Sequence, residues 1–567
     1  ALTKKIAAVE SAGATEVICT DKTGTLTKNE MTVRSLYYND QVITNTKKEV
    51  TDHKAEPIVR CGLFCNNVRR RIEENGKEVL HGDQTEVALV KFAQKVGMKW
   101  ETASQRGERL AENPFNSKRK MMSVAYGKEK SKENTLYAKG APEVLIEKCD
   151  RIYKDGGTKE LTREEKQKIL DQNKEFASQG LRVLGFAYKK NIDSRNIEEE
   201  EEEMCWLGLQ AMIDPPHQGV KGALKDCYRA GIRVIMITGD NALTARSIAQ
   251  EVGFENTEVI SGKDLDEMDD HYLEDRLNQG VNIFARTSPF HKSRILKILQ
   301  RKYSVAMTGD GVNDALAIKK SDVGIAMGEQ GTDTSKEASD IILLDDNFAT
   351  IRNAIREGRR IFDNIRKFLN YLLTSNLAEV LVVFFATVFL TLEEPILLPA
   401  HLLWINLLTD GFPALALGVD PAKKDIMKRP PRKRDEPLIN KELVWFIVGV
   451  GGLLTVVLLA IFISVDQMQG FDAARTALFT GFVLFECARI GSIKAREGTS
   501  WLANPWLIGA LVLTLMLQLV VIYTPLRQVF EVVPLGVEAW SILLLGVLVS
   551  YWGSILVTKA VVRWMEE

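Results

Sequence analysis

Six apolar stretches in the last third of the chain limit its fold more than any other feature. Five are clear, at about Leu377 to Leu392, Leu443 to Val465, Ala473 to Ile493, Pro505 to Thr524 and Ala539 to Thr558; a sixth, about Leu397 to Val419, is interrupted by Asn406, Asp410, Gly411 and Pro413. A helix of roughly 20 residues crosses a bilayer. The pattern therefore predicts six transmembrane helices, at about 362–392, 397–419, 440–465, 473–493, 505–524 and 537–560, the first starting near Phe362 as one long stalk. Basic residues crowd the loop from Lys423 to Arg434 and recur at Lys494 and Arg496, whereas Asp466 to Asp472 lacks them. The positive-inside rule then puts these loops, the preceding domains and the C-terminus in the cytosol.

Before about residue 360 charged and apolar residues are interspersed, and 567 residues exceed one domain. Lys and Arg number 74 against 75 acidic residues, a balance that gives no electrostatic footprint for nucleic acid. The seven Cys are scattered, with no two pairs at metal-ligand spacing, and read as reduced thiols. Strand-like runs end in acid-bearing turns at Glu16 to Thr20 before Asp21, Arg233 to Ile237 before Thr238-Gly239-Asp240, and Ser304 to Met307 before Thr308-Gly309-Asp310. Such runs alternating with helical patterns predict a parallel sheet with covering helices, whose ligands sit at the carboxyl ends of the strands. The pattern breaks off after Asn29 and resumes near Asp214-Pro215-Pro216, so the intervening segment is expected to be an inserted second domain entered and left through adjacent linkers. Its acidic run Glu198 to Glu203 reads as a solvated loop.

A strand-end Asp followed by Gly and hydroxyl residues presents a carboxylate beside free backbone N–H groups, which suits receiving a phosphoryl group and makes Asp21 the candidate nucleophile. Asp310 and Asp314, four apart with Gly flanking the first, can hold a hard divalent cation; Mg²⁺ needs few protein ligands, and Asp21, the Thr23 carbonyl and Asp310 suffice, with Asn313 and Asp314 in support. The heptapeptide Asp21-Lys22-Thr23-Gly24-Thr25-Leu26-Thr27 resembles the phosphorylation signature of P-type ATPases, and Thr308 to Ala315 resembles their second signature. The same pairing also fits soluble haloacid-dehalogenase-like phosphatases; the membrane half favours the pump.

The resemblance implies a multi-domain fold: a haloacid-dehalogenase-like α/β phosphorylation domain at 1–30 and 207–361, an inserted α+β nucleotide-binding domain at 31–206, and an α-helical membrane domain at 362–567. It carries Lys292, in its His-Lys-Ser context, to the neutralisation of the phosphoryl group, with Thr238 beside it. ATP contacts follow at Glu86, Phe115 (adenine stacking), Lys120, Lys139 and Arg182, and at Thr238, Gly239, Asp240 and Arg286. The sequence departs from the calcium-pump pattern at Ser117, where an Arg is expected, which bears on the grip on phosphate.

Polar residues inside apolar spans are costly and usually line a path or pair with one another. Asn376 and Glu379 share one helical face; Asn406, Thr409 and Asp410 share another, and Glu486 lies on the fourth span, with Arg489 three residues on as a candidate partner. All six ligand candidates offer oxygen, which favours a hard cation such as Ca²⁺ over Cu⁺ or Zn²⁺. Asp410-Gly411-Phe412-Pro413 is expected to break its helix and release carbonyls. The segments Ser375 to Val380 and Trp404 to Gly411 resemble the ion-binding segments of sarcoplasmic-reticulum-type calcium pumps, and Asn406 stands where sodium/potassium pumps carry Asp.

The expected function is ATP-driven export of a cation, Ca²⁺ first and Na⁺ second, through an aspartyl phosphate, with Mg²⁺ and ATP required. The expected location is the lipid bilayer of a prokaryotic plasma membrane. A membrane-anchored phosphatase is the alternative. The resemblance also implies an actuator domain and four further helices ahead of Asp21; the sequence contains no Thr-Gly-Glu motif, so it reads as the C-terminal part of a pump whose turnover calls for an N-terminal half or partner chain.

Overall fold

Runs of Val, Ile and Met in the first 350 residues form strands because branched and long apolar side chains fill a sheet buried on both faces. The computed structural model describes residues 1–567 except 73–77, 99–106, 129–132, 194–195, 391–393, 434–435 and 567; Leu392 and Arg434, invoked above, lie outside the described residues. The chain divides into two compact units, one of Ala1–Leu2, Val17–Tyr228 and Arg233–Ile351, the other of Thr3–Glu16, Arg229–Ile232 and Arg352–Glu567.

The first unit holds two large sheets. In one, Val17–Thr20 lies between Val305–Gly309 and Arg233–Ile237, all parallel, and the sheet continues outward through Val323–Met327 and Ile341–Leu343 on one side and Ile283–Ala285 and Val259–Ser261 on the other. Asp21, Asp310 and Thr238 thus leave the carboxyl ends of three adjacent strands. The second sheet, nine-stranded and built largely of antiparallel pairs, runs from Thr32–Tyr38 to Met204–Ile213 in sequence. Two chain segments join the sheets side by side: Lys28 N donates to Pro215 O at 3.0 Å, His217 N to Leu26 O at 3.0 Å, and Thr27 Oγ1 to Asp214 Oδ2 at 2.5 Å.

The acidic run is not a uniformly solvated loop. Glu201 is buried and accepts from Arg119, from Asn113 Nδ2 at 3.0 Å and from Ser123 Oγ at 2.7 Å, while Glu200 and Glu202 pair with Lys189 and Lys148. The six acids are adjacent in sequence, but the basic partners come from three separate elements: the turn at Arg119, the short helix Ile146–Lys148 and the strand Arg182–Lys190. All seven cysteines are free thiols, six of them buried.

Among the described residues six helices are long and apolar enough to cross a membrane: Phe348–Phe389, Pro399–Gly418, Lys441–Gln469, Phe471–Glu497, Pro505–Tyr523 and Val537–Met565. The first begins at Phe348, well before Phe362, because Asn347 Oδ1 accepts from Ala349 N at 2.9 Å and buried Ile351, Ile355 and Phe362 continue the helical period. In the second, the irregularity falls one turn earlier than expected. Ile405–Thr409 is a widened turn in which Asp410 N donates to Ile405 O at 2.9 Å, and helix resumes at Gly411–Gly418. Pro413 lacks an N–H and so cannot donate to the carbonyl four residues back; it sits in the first turn of the new segment, where that loss is tolerated.

Candidate functional site

Asp21 is partly buried, and the backbone around it is fixed by its neighbours. Its N donates to Thr308 Oγ1 at 3.3 Å and its Oδ1 accepts from Lys22 N at 2.8 Å. The turn after it needs Gly24, whose φ is +70°. Gly309 is required by close approach: a Cβ there would stand 2.4 Å from Asp314 Cβ. Asp21, Asp310 and Asp314 each bring a carboxylate oxygen into one cluster in which all lie within 4.8 Å. Lys292, only 6% exposed, lies 3.2 Å from Asp21 Oδ2 and 2.7 Å from Asp314 Oδ1. It sits inside Pro289–Leu299 rather than opening that helix; Ser288 is the cap.

Three carboxylates facing one ammonium leave the cluster with excess negative charge. Burial, reinforced by Asp314 and Asp310 and opposed by Lys292, pushes Asp21 up to about 6. Burial and Asp314 also raise Asp310, while for Lys292 the carboxylates of Asp21 and Asp314 outweigh burial and hold its value up. A donor set composed only of carboxylate oxygens fits a hard divalent cation such as Mg²⁺. Asn313 is exposed, whereas Asp314 is 3% exposed. In Val312–Lys320 the sheet-facing positions are 314, 317 and 318, one helical stripe, and 313 lies off it.

Thr238 is buried, and its carbonyl accepts from Thr287 N and Thr287 Oγ1, both at 3.0 Å. Gly239 and Asp240 follow at the strand end, and Arg286, with φ +52°, donates its N to Asp240 O at 2.8 Å. Lys22, given no role above, is 4% exposed and bridges Asp240 and Asp214. A Lys inside a catalytic-looking heptapeptide was the available signal.

In the second sheet Lys139 Nζ reaches Glu86 Oε1 at 2.6 Å, and Arg182 donates to Thr85 Oγ1 at 2.8 Å, so Glu86, Lys139 and Arg182 gather at the start of Gln84–Lys95. Phe115, 63% exposed, lies near the end of the strand Glu108–Asn116, and Lys120 lies on the turn that leads to Met121–Gly127. Ala141 N donates to Lys120 O at 2.9 Å, tying this turn to the end of the strand carrying Lys139. Arg119, anchored on Glu201, holds the turn by donating to Pro114 O at 2.7 Å and Asn113 O at 3.1 Å.

The second unit contains another acid cluster. Glu379 on Phe348–Phe389, Asp410 at the widened turn and Glu486 on Phe471–Glu497 bring carboxylate oxygens within 4.8 Å of one another, all three buried. Asn406 Nδ2 donates to Glu379 Oε2 at 2.9 Å and Tyr371 OH to Asp410 Oδ1 at 3.1 Å. No N–H or O–H of another residue type reaches Glu379 Oε1, Asp410 Oδ2 or either oxygen of Glu486, and the Asp410 and Glu486 carboxyls lie within hydrogen-bonding reach of each other. Among the described residues no Lys or Arg pairs with these three acids. Buried carboxylate oxygens without donors are what a hard cation needs for ligands, so the donor set fits Ca²⁺. Thr409 Oγ1 donates to Ile405 O at 3.0 Å, and Asn376 is exposed, one helical turn from buried Glu379. Arg489 does not meet Glu486; it donates to Asn370 Oδ1 at 2.8 Å.

Residues 54–219 match the model of the P-type ATPase cytoplasmic domain N, and 394–561 that of the cation-transporting ATPase C-terminus. The chain belongs to the P-type ATPase family. A calcium-transporting ATPase of Bacillus subtilis (strain 168) is 39% identical over 96% of this chain and 64% of that protein. One from Listeria monocytogenes is 36% identical over 96% and 62%, and the human calcium-transporting ATPase type 2C member 1 is 35% identical over 100% and 62%. This P-type ATPase chain thus spans somewhat under two thirds of the length of the curated relatives it matches.

Proposed function

We propose that this chain carries the phosphorylation, nucleotide and cation-binding parts of a calcium-transporting P-type ATPase. The observation that carries the reading is the pairing of two acid clusters, one with a lysine built in and one with none. ATP docks at 31–206 with its adenine on Phe115 and its phosphates toward Lys120, Lys139, Glu86 and Arg182. Asp21 Oδ forms a bond to the γ-phosphorus as that phosphorus separates from the β–γ bridging oxygen, and ADP leaves with the electron pair. Lys292 and Thr238 stabilise charge developing on the transferred group, while Gly239, Asp240 and Arg286 shape the strand end beneath it. Asp21, the Thr23 carbonyl and Asp310 would hold Mg²⁺, which would supply charge neutralisation, and Asp314 keeps Lys292 aimed at Asp21.

Ca²⁺ is taken as cargo by Glu379, Asp410 and Glu486, with Asn376, Asn406 and Thr409 completing its oxygen shell. The names of the bacterial and human relatives support Ca²⁺, and the basic loops support a cytosolic position for 1–361 and the C-terminus in a prokaryotic plasma membrane. Domain limits are assigned at 1–30 and 207–361, 31–206, and 362–567. Full turnover, with release of the aspartyl phosphate, draws on an N-terminal half or partner chain.

The test is labelling from γ-³²P-ATP with Mg²⁺, followed by acid quench and hydroxylamine. An acid-stable, hydroxylamine-sensitive label that rises with Ca²⁺ and vanishes in Asp21→Asn supports the proposal. A label responding to Na⁺ alone would move the cargo to Na⁺. Rapid hydrolysis of small phosphate esters without label would favour the phosphatase.

A further inference from the structure

In the second unit, a cavity of 210 Å³ opens among the helices Phe348–Phe389, Lys441–Gln469, Phe471–Glu497 and Val537–Glu566, at the end where these helices carry their basic residues. Six basic side chains and three acidic ones line it. The acids are already engaged: Asp363 with Arg429 at 2.8 Å, Glu442 with Arg496 at 2.8 Å, and Glu497 with Lys423 at 3.1 Å. Lys367 turns to Asp420 at 2.8 Å and to Glu497 at 2.7 Å. That leaves Arg366, whose carboxylate contact, Glu436, is 3.9 Å away, and Arg489.

Arg489 is the decisive group. It is 4% exposed, its contacts are the neutral Asn370 Oδ1 and Ser492 Oγ, and its Nε has no hydrogen-bond partner. Among the described residues no carboxylate pairs with it, and the side-chain charge acting on it is that of Arg496, a second cation. A guanidinium in an apolar helix bundle is costly without an anion, and its planar fork matches phosphate oxygens. One wall of the same cavity is apolar, with Leu443, Phe446 and Ile493, and the Arg496 guanidinium lies 4.2 Å from the Phe446 ring centroid. Charge at one side and hydrocarbon at the other suit an amphiphile.

We propose that this cavity binds a phosphate-class anion, with Arg489 at its buried end and Arg366 at its rim; an anionic phospholipid headgroup and free phosphate share that chemistry. This site is separate from the Glu379, Asp410 and Glu486 cluster, and its test does not depend on transport. The full chain is purified from neutral-lipid micelles, exposed to an equimolar mixture of phosphatidylglycerol and phosphatidylcholine, and its retained lipid weighed by mass spectrometry. Wild type is expected to retain phosphatidylglycerol about tenfold over phosphatidylcholine, Arg489→Lys to keep part of that preference, and Arg489→Gln to approach parity. Arg366→Gln, at the rim, keeps the test decisive if Arg489→Gln does not fold; it should lower the preference about fivefold. A thermal midpoint raised by phosphatidylglycerol and not by inorganic phosphate assigns the site to a lipid headgroup. A rise with inorganic phosphate assigns it to a soluble anion. Equal lipid retention by wild type, Arg489→Gln and Arg366→Gln, with no response to phosphate, would overturn the proposal.

Discussion

The two acid clusters each gather three carboxylates, and their surroundings are opposite. Asp21, Asp310 and Asp314 converge at strand ends with Lys292 between two of them, whereas Glu379, Asp410 and Glu486 converge between helices with a tyrosine and an asparagine as donors and, among the described residues, no paired cation. A fixed ammonium lowers the cost of gathering carboxylates and holds one of them in a constant direction, which serves a group that must attack repeatedly. Without such a cation the carboxylates need a mobile counter-charge, which is the requirement for a cargo site. On the proposed function, the difference would separate chemistry from carriage within one chain.

The largest expected effect tests the catalytic half of that contrast. Asp21→Asn should abolish the hydroxylamine-sensitive label, and Lys292→Ala should lower its rate of formation by about 10²–10³-fold, the usual cost of losing a charge-stabilising donor; both are read by quench-flow. If Lys292→Ala labelled at the wild-type rate, the fixed cation would have no chemical role.

Second in size is a pH effect at the first cluster. Asp21 is raised to about 6, chiefly by burial. A carboxyl raised on folding binds its proton more tightly in the folded state, so its stabilising contribution is complete below the unfolded value and is lost as pH rises through about 6. In Mg²⁺-free buffer the wild-type unfolding midpoint should therefore fall as pH rises from the ordinary carboxylate range to about 6. Asp21→Asn should flatten that fall and be more stable by about 1–3 kcal/mol at pH 7.5. Added Mg²⁺ should narrow the difference.

Smaller again, Thr27→Val removes the hydroxyl that donates to buried Asp214 and should cost about 1–2 kcal/mol in chemical denaturation. The smallest effect belongs to the adenine turn. Glu201→Gln weakens the anchor of Arg119 and should raise the dissociation constant for ATP a few-fold, about 1 kcal/mol, while leaving the Mg²⁺ response intact.

The strand runs around Asp21, Thr238 and Asp310 were legible because a buried parallel strand writes itself as an uninterrupted apolar run, and the six helices because a bilayer demands a fixed length. What escaped were features set by partners distant in sequence. Glu201 lies in an acidic run whose composition suggests solvent, yet Arg119 and Ser123 come from elsewhere to meet it. The roles of Asn313 and Asp314 turn on which residue faces the sheet, a matter of helix phase that the motif alone does not fix. Arg489 lies one turn from Glu486, but Asn370 on another helix takes its guanidinium.

The most direct measurement is equilibrium binding of ⁴⁵Ca²⁺ to the full chain in micelles at pH 7.5, with excess Mg²⁺ present. If the two clusters divide chemistry from carriage, Asp21→Asn binds Ca²⁺ as wild type does, while Glu486→Gln and Glu379→Gln each lose most of the bound ion. Calcium binding that survives both membrane substitutions, or that disappears with Asp21→Asn, would contradict that division.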